Sequence, residues 1–443
     1  MRIRFWGTRG SIPKPGDKTL RYGGNTSCVE VRLSDGTLIV LDCGTGAHEL
    51  GSELVSGGSD DTHGHLLIGH THWDHIQGFP FFAPLFVPDN VWEIYAPGGR
   101  GRHIEACLAG QMSYDYFPIT LDALNADVHL HDLKEGVFDI GGIRITTQYL
   151  NHPALTLGYR LEADGATVVY ATDYEPHSLY PLNSEPGAVP VHHEDRRHIR
   201  FLEGADLIIH DAQYTLNDFP AKAGWGHMPM ERAVDYAMLA GAKELALFHH
   251  DPGHSDEVVD QMCETARARV ANSQSSLQVF AAAEGQVVDL SQGASRLRPS
   301  IPPERSALLS LAPRGTSTVL IVDDDPDMVL LLASTLQAEG VRVLTATDGE
   351  SALDLARRNR PTLILLDMNL PGLDGLAVCR HLRGDANPHL RDIPIVMLTG
   401  VKMKEIDLVD AFTAGATDYL TKPVKPTLVR SRVRAWLSRT PND

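Results

Sequence analysis

The sequence His70-Thr71-His72-Trp73-Asp74-His75 directly follows the apolar run Leu66-Leu67-Ile68-Gly69. A short apolar run ahead of a turn predicts a buried strand, and here the turn would lead into a helix. The first two histidines would leave the strand on one side, with Asp74 and His75 on the first helical turn. Imidazole and carboxylate ligands suit zinc, manganese or iron. We therefore expect a metal site, because a solvated turn rarely gathers four ligand-type side chains in six residues.

The composition is that of a globular protein with more than one domain. Of the 443 residues, 43% are hydrophobic and 22% are charged, and no run of about 18 apolar residues would span a bilayer. The first residues lack the apolar core of a signal peptide, and the five cysteines form no CxxC pair. We expect a cytoplasmic protein. Its net charge of -18 disfavours tight binding to long nucleic acid.

Further ligand-type residues stand where other predicted strands end. His152 follows the strand 144–149, and Asp173 follows the run 167–170. Asp211 ends a buried strand, and the run 244–248 leads into His249 and His250. His152 would complete a three-histidine site, and Asp173 would bridge two ions. The sequence thus predicts a second half for the metal site, contributed by distant parts of the chain.

The HxHxDH motif, followed by separate His, Asp and His residues at strand ends in that order, resembles the metallo-β-lactamase fold. The resemblance covers residues 1–290 and implies an αββα sandwich with two divalent metals. The implied ligands are His70, His72 and His152 for one ion, Asp74, His75 and His249 for the other, and Asp173 as the bridge. His250 is the alternative to His249.

Within this superfamily, the chain resembles the tRNase Z and phosphodiesterase branch. The loop Gly7-Thr8-Arg9-Gly10-Ser11 contributes to this resemblance, and so do two later motifs. His210-Asp211-Ala212-Gln213 resembles the branch's His-Glu-Ala-Thr motif, and Gly226-His227-Met228-Pro229 resembles its Gly-His-Ser-Thr motif. By this analogy Asp211 orients His227, and His227 is the acid near the leaving oxygen.

The sequence departs from that branch in three places. Asp211 is one methylene shorter than Glu, and Met228-Pro229 lacks the hydroxyls of Ser-Thr. The stretch between His152 and Asp173 is too short for the long tRNA-gripping arm of tRNase Z. These departures, with the acidic charge, disfavour tRNA as the substrate.

The chain changes character after the first domain. Residues 291–317 are rich in Ser, Pro, Arg and Ala without a sustained period, which is typical of a linker. From residue 318, five strands alternate with helical segments, which predicts a parallel α/β sheet with functional residues at the carboxyl ends of its strands. Several acidic residues stand at those ends, and three neighbouring carboxylates favour a hard cation such as Mg²⁺.

This second pattern resembles a response-regulator receiver domain over residues 318–443, with the flavodoxin-like (βα)5 fold. The resemblance implies a histidine kinase as phosphodonor and a contact face between Val401 and Val433 for a partner or a homodimer. Asp367 is the implied phosphoacceptor, and Tyr419 is the implied switch aromatic. Asp323, Asp324, Asp367 and the Asn369 carbonyl would bind Mg²⁺, while Thr399 and Lys422 would contact the phosphoryl group.

The combined expectation is a dinuclear metal-dependent phosphodiesterase, regulated by aspartyl phosphorylation, that acts on small phosphodiesters such as cyclic nucleotides. A water activated by both ions would attack phosphorus, Asp74 would accept its proton, and His227 would protonate the leaving oxygen. Three other functions stay open: an RNA or tRNA 3'-end endonuclease, a lactonase or thioesterase, and a non-catalytic signalling scaffold.

Two further segments leave alternatives. The aromatic segment 110–118 would either wall a substrate cleft or pack as a loop against the core. The polar run 192–198 is expected to be a solvated insertion or an oligomer contact, with a third metal site as the alternative.

Overall fold

The computed structural model describes residues 1–56, 63–98, 103–177, 189–190, 192–290, 317–338, 340–400, 410–424 and 426–439. Residues 291–316 of the expected linker and residues 401–409 of the expected contact face lie outside the described residues. The chain divides into two compact units. The first comprises Met1–Pro176, Leu182–Val189 and Arg197–Ser310, and the second comprises His177–Pro181, Pro190–Arg196 and Leu311–Asp443.

Fourteen strands in the described residues build the first unit. They are β1 (Arg2–Gly7), β2 (Cys28–Arg32), β3 (Leu38–Leu41), β4 (His63–Leu67), β5 (Val91–Pro97), β6 (Asp127–Leu133), β7 (Gly136–Ile140), β8 (Ile143–Leu150), β9 (Thr156–Ala163), β10 (Ala166–Ala171), β11 (Leu207–Asp211), β12 (Glu244–Phe248), β13 (Gln278–Ala281) and β14 (Val287–Asp289).

These strands form two seven-stranded mixed sheets. Their orders are β14-β1-β2-β3-β4-β5-β6 and β13-β12-β11-β10-β9-β8-β7. In each sheet four consecutive strands are parallel, β3 to β6 in one and β10 to β13 in the other. Parallel strands end at the same edge of a sheet, so the loops that leave them converge.

Helices accompany these sheets. They are α1 (Ala47–Ser56), α2 (Trp73–Ile76), α3 (Ile104–Gln111), α4 (His193–Leu202), α5 (Phe219–Lys222), α6 (Met230–Leu239) and α7 (Asp256–Asn272). Short 3₁₀ turns lie at Phe79–Phe81, Ala83–Phe86 and Leu121–Ala123. The short helix α2 carries Asp74 and His75, as the sequence predicts.

Three apolar clusters explain the layers of the first unit. One lies between the sheets and contains Phe5, Tyr159 and Phe248. A second contains Trp92 of the first sheet with Leu50 of α1, and a third joins the second sheet to α6 and α7. Alternate residues of the strands thus face either the partner sheet or the helices. This confirms the predicted αββα sandwich.

The second unit contains a five-stranded parallel sheet of order β16-β15-β17-β18-β19. Its strands are β15 (Thr318–Val322), β16 (Arg342–Ala346), β17 (Leu363–Asp367), β18 (Ile395–Thr399) and β19 (Asp418–Thr421). Its described helices are α8 (Pro326–Gln337), α9 (Gly349–Asn359), α10 (Gly375–Arg383), α11 (Pro388–Asp392) and α12 (Pro426–Arg439). This is the predicted receiver topology, with strand order 2-1-3-4-5.

The polar run 192–198 differs from the expectation. His192, Asp195 and His198 are fully buried, so a solvated insertion is wrong for these residues. Their burial is possible because each has a polar partner: His192 bonds to Asp418, Asp195 bonds to the backbone of His177, and His198 bonds to His210.

In the described part of the chain, no helix is long and apolar enough to cross a membrane.

Candidate active site

Three residues of the candidate site turn the chain sharply at strand ends. Asp42 follows β3, Asp173 follows β10 and His249 follows β12, with φ angles of 60°, 61° and 62°. Left-handed backbone costs a residue other than glycine about 1–2 kcal/mol, and such conformations cluster at functional sites. The turns direct these three side chains back over the strand ends.

The carboxylate of Asp173 lies between two sets of histidines. Its Oδ2 is 3.6 Å from Nε2 of both His70 and His152. Its Oδ1 is 3.2 Å from Nε2 of His75 and 3.3 Å from Nε2 of His249. Each oxygen therefore faces a different set, which is the arrangement that a carboxylate shared by two cations requires.

The structure brings together all seven residues that the sequence proposes as ligands. Each set has ligand atoms within 4.8 Å of one another: His70, His72, His152 and Asp173 in one, and Asp74, His75, His249 and Asp173 in the other. His250, the alternative to His249, is turned away, and its Nε2 donates to the Ala282 carbonyl at 2.9 Å.

The unsatisfied polar atoms of this cluster fit divalent metals. Both ring nitrogens of His70 and Nε2 of His75 are buried and have no hydrogen-bond partner among the described residues. Buried polar atoms are rarely left in that state, and metal coordination would satisfy them. Burial, followed by the nearby His75, holds the pKa of His70 well below its usual value, so this imidazole is neutral, as a metal ligand must be.

Neighbouring groups fix the orientation of two of these histidines. His75 donates from Nδ1 to Asp42 at 2.6 Å, and Asp42 also accepts from the Tyr170 hydroxyl at 2.6 Å. His152 donates from Nδ1 to the Gly226 carbonyl at 2.9 Å. Because Nδ1 is occupied in each ring, Nε2 faces the centre of the site.

His227 and Asp211 form the pair that the sequence motifs suggest. Nδ1 of His227 lies 2.8 Å from Oδ2 of Asp211, which is fully buried and also accepts from the amides of Tyr174 and Gln213. Burial alone would lower the pKa of His227, but the carboxylate of Asp211 outweighs it and raises the pKa to about 9. His227 is therefore held as a proton donor, although bound cations would offset part of this rise.

A pocket of about 390 Å³ gives access to this cluster. It is lined by Ser11, Thr71, His72, Trp73, Asp74, Asp173 and His227. Trp73 is 74% exposed at its rim. Tyr114 and Tyr116 are exposed but do not line the pocket. The ring of Phe117 packs against the ring of Phe81, with 5.3 Å between the ring centroids. The aromatic wall of the pocket is therefore Trp73, a residue inside the first motif, and not the segment 110–118.

Two contacts of the site were not predicted from the sequence. The carboxylate of Glu175 accepts from the amides of Gly224 and Gly226, at 2.8 Å and 2.7 Å, and so holds the loop that carries His227. The amide of Ser11 donates to Asp74 Oδ2 at 2.7 Å. The only sequence signals were an acidic residue two positions after Asp173 and a glycine-rich loop, and neither specifies a partner.

The receiver residues also converge. Oxygens of Asp323, Asp324 and Asp367 lie within 4.8 Å of one another. Lys422 Nζ lies 2.8 Å from Asp323 and 3.0 Å from Asp367. Burial raises the pKa of Asp367, although Lys422 opposes this shift.

The remaining receiver residues lie around this carboxylate cluster or beside it. Thr399 ends β18 and is buried. Asn369 is exposed, and its amide bonds to the Asp367 carboxylate. Tyr419 is on β19, where its hydroxyl donates to the His177 carbonyl at 3.0 Å.

Comparisons with known proteins agree with this geometry. Residues 37–250 match the family described as beta-lactamase superfamily domain, and residues 319–434 match the response regulator receiver domain. The DNA-binding response regulator MtrA of Mycolicibacterium smegmatis is 43% identical over 125 residues, which are 28% of this chain and 52% of MtrA. The chain thus spans about half the length of the curated relatives it matches.

Solved structures resemble each part of the chain. The metallo-beta-lactamase fold protein YhfI of Bacillus subtilis is 20% identical, with a TM-score of 0.45, over 65% of this chain and 98% of YhfI. A response regulator of Chloroflexus aurantiacus is 37% identical, with a TM-score of 0.27, over 28% of this chain and all of that chain. With the family matches and the site geometry, we identify the chain as a metallo-β-lactamase-fold protein with a C-terminal response-regulator receiver domain.

Proposed function

We propose that the first unit is a dinuclear metal-dependent phosphodiesterase for small phosphodiesters such as cyclic nucleotides, and that phosphorylation of Asp367 regulates it. The observation that carries this proposal is the position of Asp173, whose two oxygens face separate sets of histidines. A histidine kinase would be the phosphodonor. A homodimer and a cytoplasmic location stay predictions.

The residues of the pocket suit attack on phosphorus. When bound, two divalent ions would activate a water and neutralise charge on a phosphoryl group; zinc suits these ligands, and manganese or iron are alternatives. Asp74 lines the pocket and would accept the proton of the water through its free oxygen, since its Oδ2 already accepts from Ser11.

The His227–Asp211 pair suits a substrate whose leaving group is an alkoxide, as in an alkyl phosphodiester. Asp211 occupies Nδ1 of His227, which leaves Nε2 to protonate an oxygen that departs from phosphorus. An alkoxide is a poor leaving group and needs this proton. The pocket volume also suits a small ligand, and Trp73 at the rim offers an aromatic face for a base.

We expect His249→Ala to lose about one of two metal ions per chain, because its Nε2 faces both Asp74 and Asp173. His250→Ala is the matched control, since its ring bonds to a backbone carbonyl instead. His70→Ala and Asp173→Ala should also lower the metal content. Elemental analysis of the purified variants measures this, and equal metal content in the variants of His249 and His250 would contradict the ligand assignment.

The proposed function predicts turnover of bis(p-nitrophenyl) phosphate and cyclic AMP by zinc- or manganese-loaded protein. His227→Ala should reduce kcat for cyclic AMP by about 100-fold or more, because its alkoxide requires an acid. The same variant should affect bis(p-nitrophenyl) phosphate much less, because p-nitrophenolate leaves without a proton. The exposed His48 provides the control variant His48→Ala.

Three results would contradict this account of the function. An equal loss on both substrates would exclude the acid role of His227. Hydrolysis of lactones, thioesters or precursor tRNA, without hydrolysis of either small phosphodiester, would favour one of the other enzyme classes. Bound metal without any turnover would favour a signalling scaffold.

Asp367 is expected to take up phosphate from acetyl phosphate in the presence of Mg²⁺, because Asp323, Asp324 and Lys422 surround it. Asp367→Asn should abolish acid-labile phosphate incorporation and any effect of beryllofluoride on turnover. Asp354→Asn, at an exposed ion pair with Arg358, is the control. Phosphate incorporation by Asp367→Asn at the wild-type level would disprove the assignment.

A further inference from the structure

Two pieces of chain from between β10 and β11 belong to the second unit, namely His177–Pro181 and Pro190–Arg196. Their described residues contact a surface formed by Asp418, Tyr419, Arg432 and Trp436, which we call the β19 face. Asp418 at its centre is buried. Its Oδ2 accepts from Arg432 at 2.7 Å and from Trp436 at 3.1 Å.

His192 is a further partner of Asp418. Its Nδ1 accepts from the Glu194 amide at 3.1 Å, so the proton is on Nε2, which donates to Asp418 Oδ1 at 3.1 Å. The ring also packs edge-on against Phe412, with 4.8 Å between centroids. A fully buried histidine with both nitrogens engaged holds its segment in a defined position.

Tyr419 holds the other piece. Its hydroxyl donates to the His177 carbonyl at 3.0 Å, while the His177 amide donates to Asp195 at 2.8 Å. The rings of His177 and His192 stack with 4.6 Å between centroids. The two pieces are therefore fastened to each other as well as to the β19 face.

This cluster does not suit a third metal ion. Ligand atoms of His177, His192 and Asp195 do lie within 4.8 Å of one another. However, burial and then the positive charge of Arg432 lower the pKa of His177 to about 4, and the same charge would repel a divalent cation. The nitrogens of His192 are also committed to hydrogen bonds.

The same stretch of chain reaches the candidate active site within four residues. Asp173, which faces both histidine sets, is followed by Glu175, which holds the loop of His227, and then by His177. A shift of His177 would therefore be transmitted along the backbone to both of these residues.

Helix α4 offers a second connection. It begins at His193, beside the His192 that bonds to Asp418, and continues to Leu202. Within it, His198 Nε2 lies 2.9 Å from His210 Nε2, and His210 immediately precedes Asp211. Both connections thus end at residues that position the candidate acid or the candidate metal ligands.

The β19 face is also joined directly to the phosphoacceptor. Lys422 follows the last residue of β19, its Nζ contacts Asp323 and Asp367, and its amide donates to the Thr399 carbonyl at 2.6 Å. A phosphoryl group adds up to about two negative charges and three acceptor oxygens. It would draw Lys422 towards itself and displace the strand that carries Asp418 and Tyr419.

We propose that the β19 face is an intramolecular docking surface for His177 and His192, through which phosphorylation of Asp367 alters the candidate active site. The effect on turnover rests on the proposed function, whereas the docking itself does not. This occupant is a segment of the same chain, in contrast to the external partner or second copy expected for the face between Val401 and Val433.

Hydrogen–deuterium exchange of the full chain tests this proposal without a substrate. Beryllofluoride with Mg²⁺ should accelerate exchange several-fold in peptides containing His177 and residues 192–196, because it draws β19 away from them. In the Tyr419→Phe variant, peptides containing His177 should exchange fast even without beryllofluoride. In the His192→Ala variant, peptides from residues 192–196 should do the same. Tyr114→Phe, an exposed tyrosine, is the control.

The outcomes separate docking from catalysis. Slower exchange of peptides containing Asp367 would show that each variant still binds beryllofluoride. Unchanged exchange at His177 in the wild type, with a response at Asp367, would overturn the docking proposal. Faster exchange at His177 that appears only at protein concentrations at which the chain dimerises would also overturn the docking proposal. Absence of phosphodiester turnover with the exchange response intact would disprove the proposed function and leave the docking supported.

Discussion

At the centre of the candidate active site, one buried carboxylate, that of Asp173, faces two separate sets of histidines. Two histidines approach each of its oxygens, His70 and His152 on one side and His75 and His249 on the other. Both ring nitrogens of His70 are buried without a hydrogen-bond partner among the described residues, and a divalent cation would use them together with the carboxylate. The left-handed backbone at Asp173 and His249 is the strain that this geometry requires.

The architecture explains how distant residues meet at this point. The parallel halves of the two sheets end at edges from which the loops converge, so His70 and His249, which are separated by 179 positions, both lie beside Asp173. The chain that leaves β10 then serves two purposes. Within five residues it supplies the shared carboxylate, supports the loop of His227 through Glu175, and reaches Tyr419 of the receiver with His177. Regulation and catalysis would therefore act on the same short segment.

The sequence was most informative where chemistry and local structure coincide. The motif from His70 to His75 has few alternative interpretations, and the same holds for the acidic residues at the strand ends of the receiver domain. The predicted strand bounds agree with those of the structure because apolar runs end at turns. Glu175 could not be predicted, because its partners are backbone amides 49 and 51 residues away that any sequence would offer. Likewise, the burial of His192 and His198 in the polar run 192–198 could not be predicted, because their partners Asp418 and His210 are known only from the tertiary structure.

Anomalous diffraction from crystals of the zinc- or manganese-loaded protein would test whether Asp173 lies between two ions. We expect two anomalous peaks about 3.5–4 Å apart, one beside each oxygen of Asp173. The first should be coordinated by His70, His72 and His152, and the second by Asp74, His75 and His249. A single peak that contacts only one of these sets, or a peak at His250 in place of His249, would contradict the shared carboxylate on which the proposed function rests.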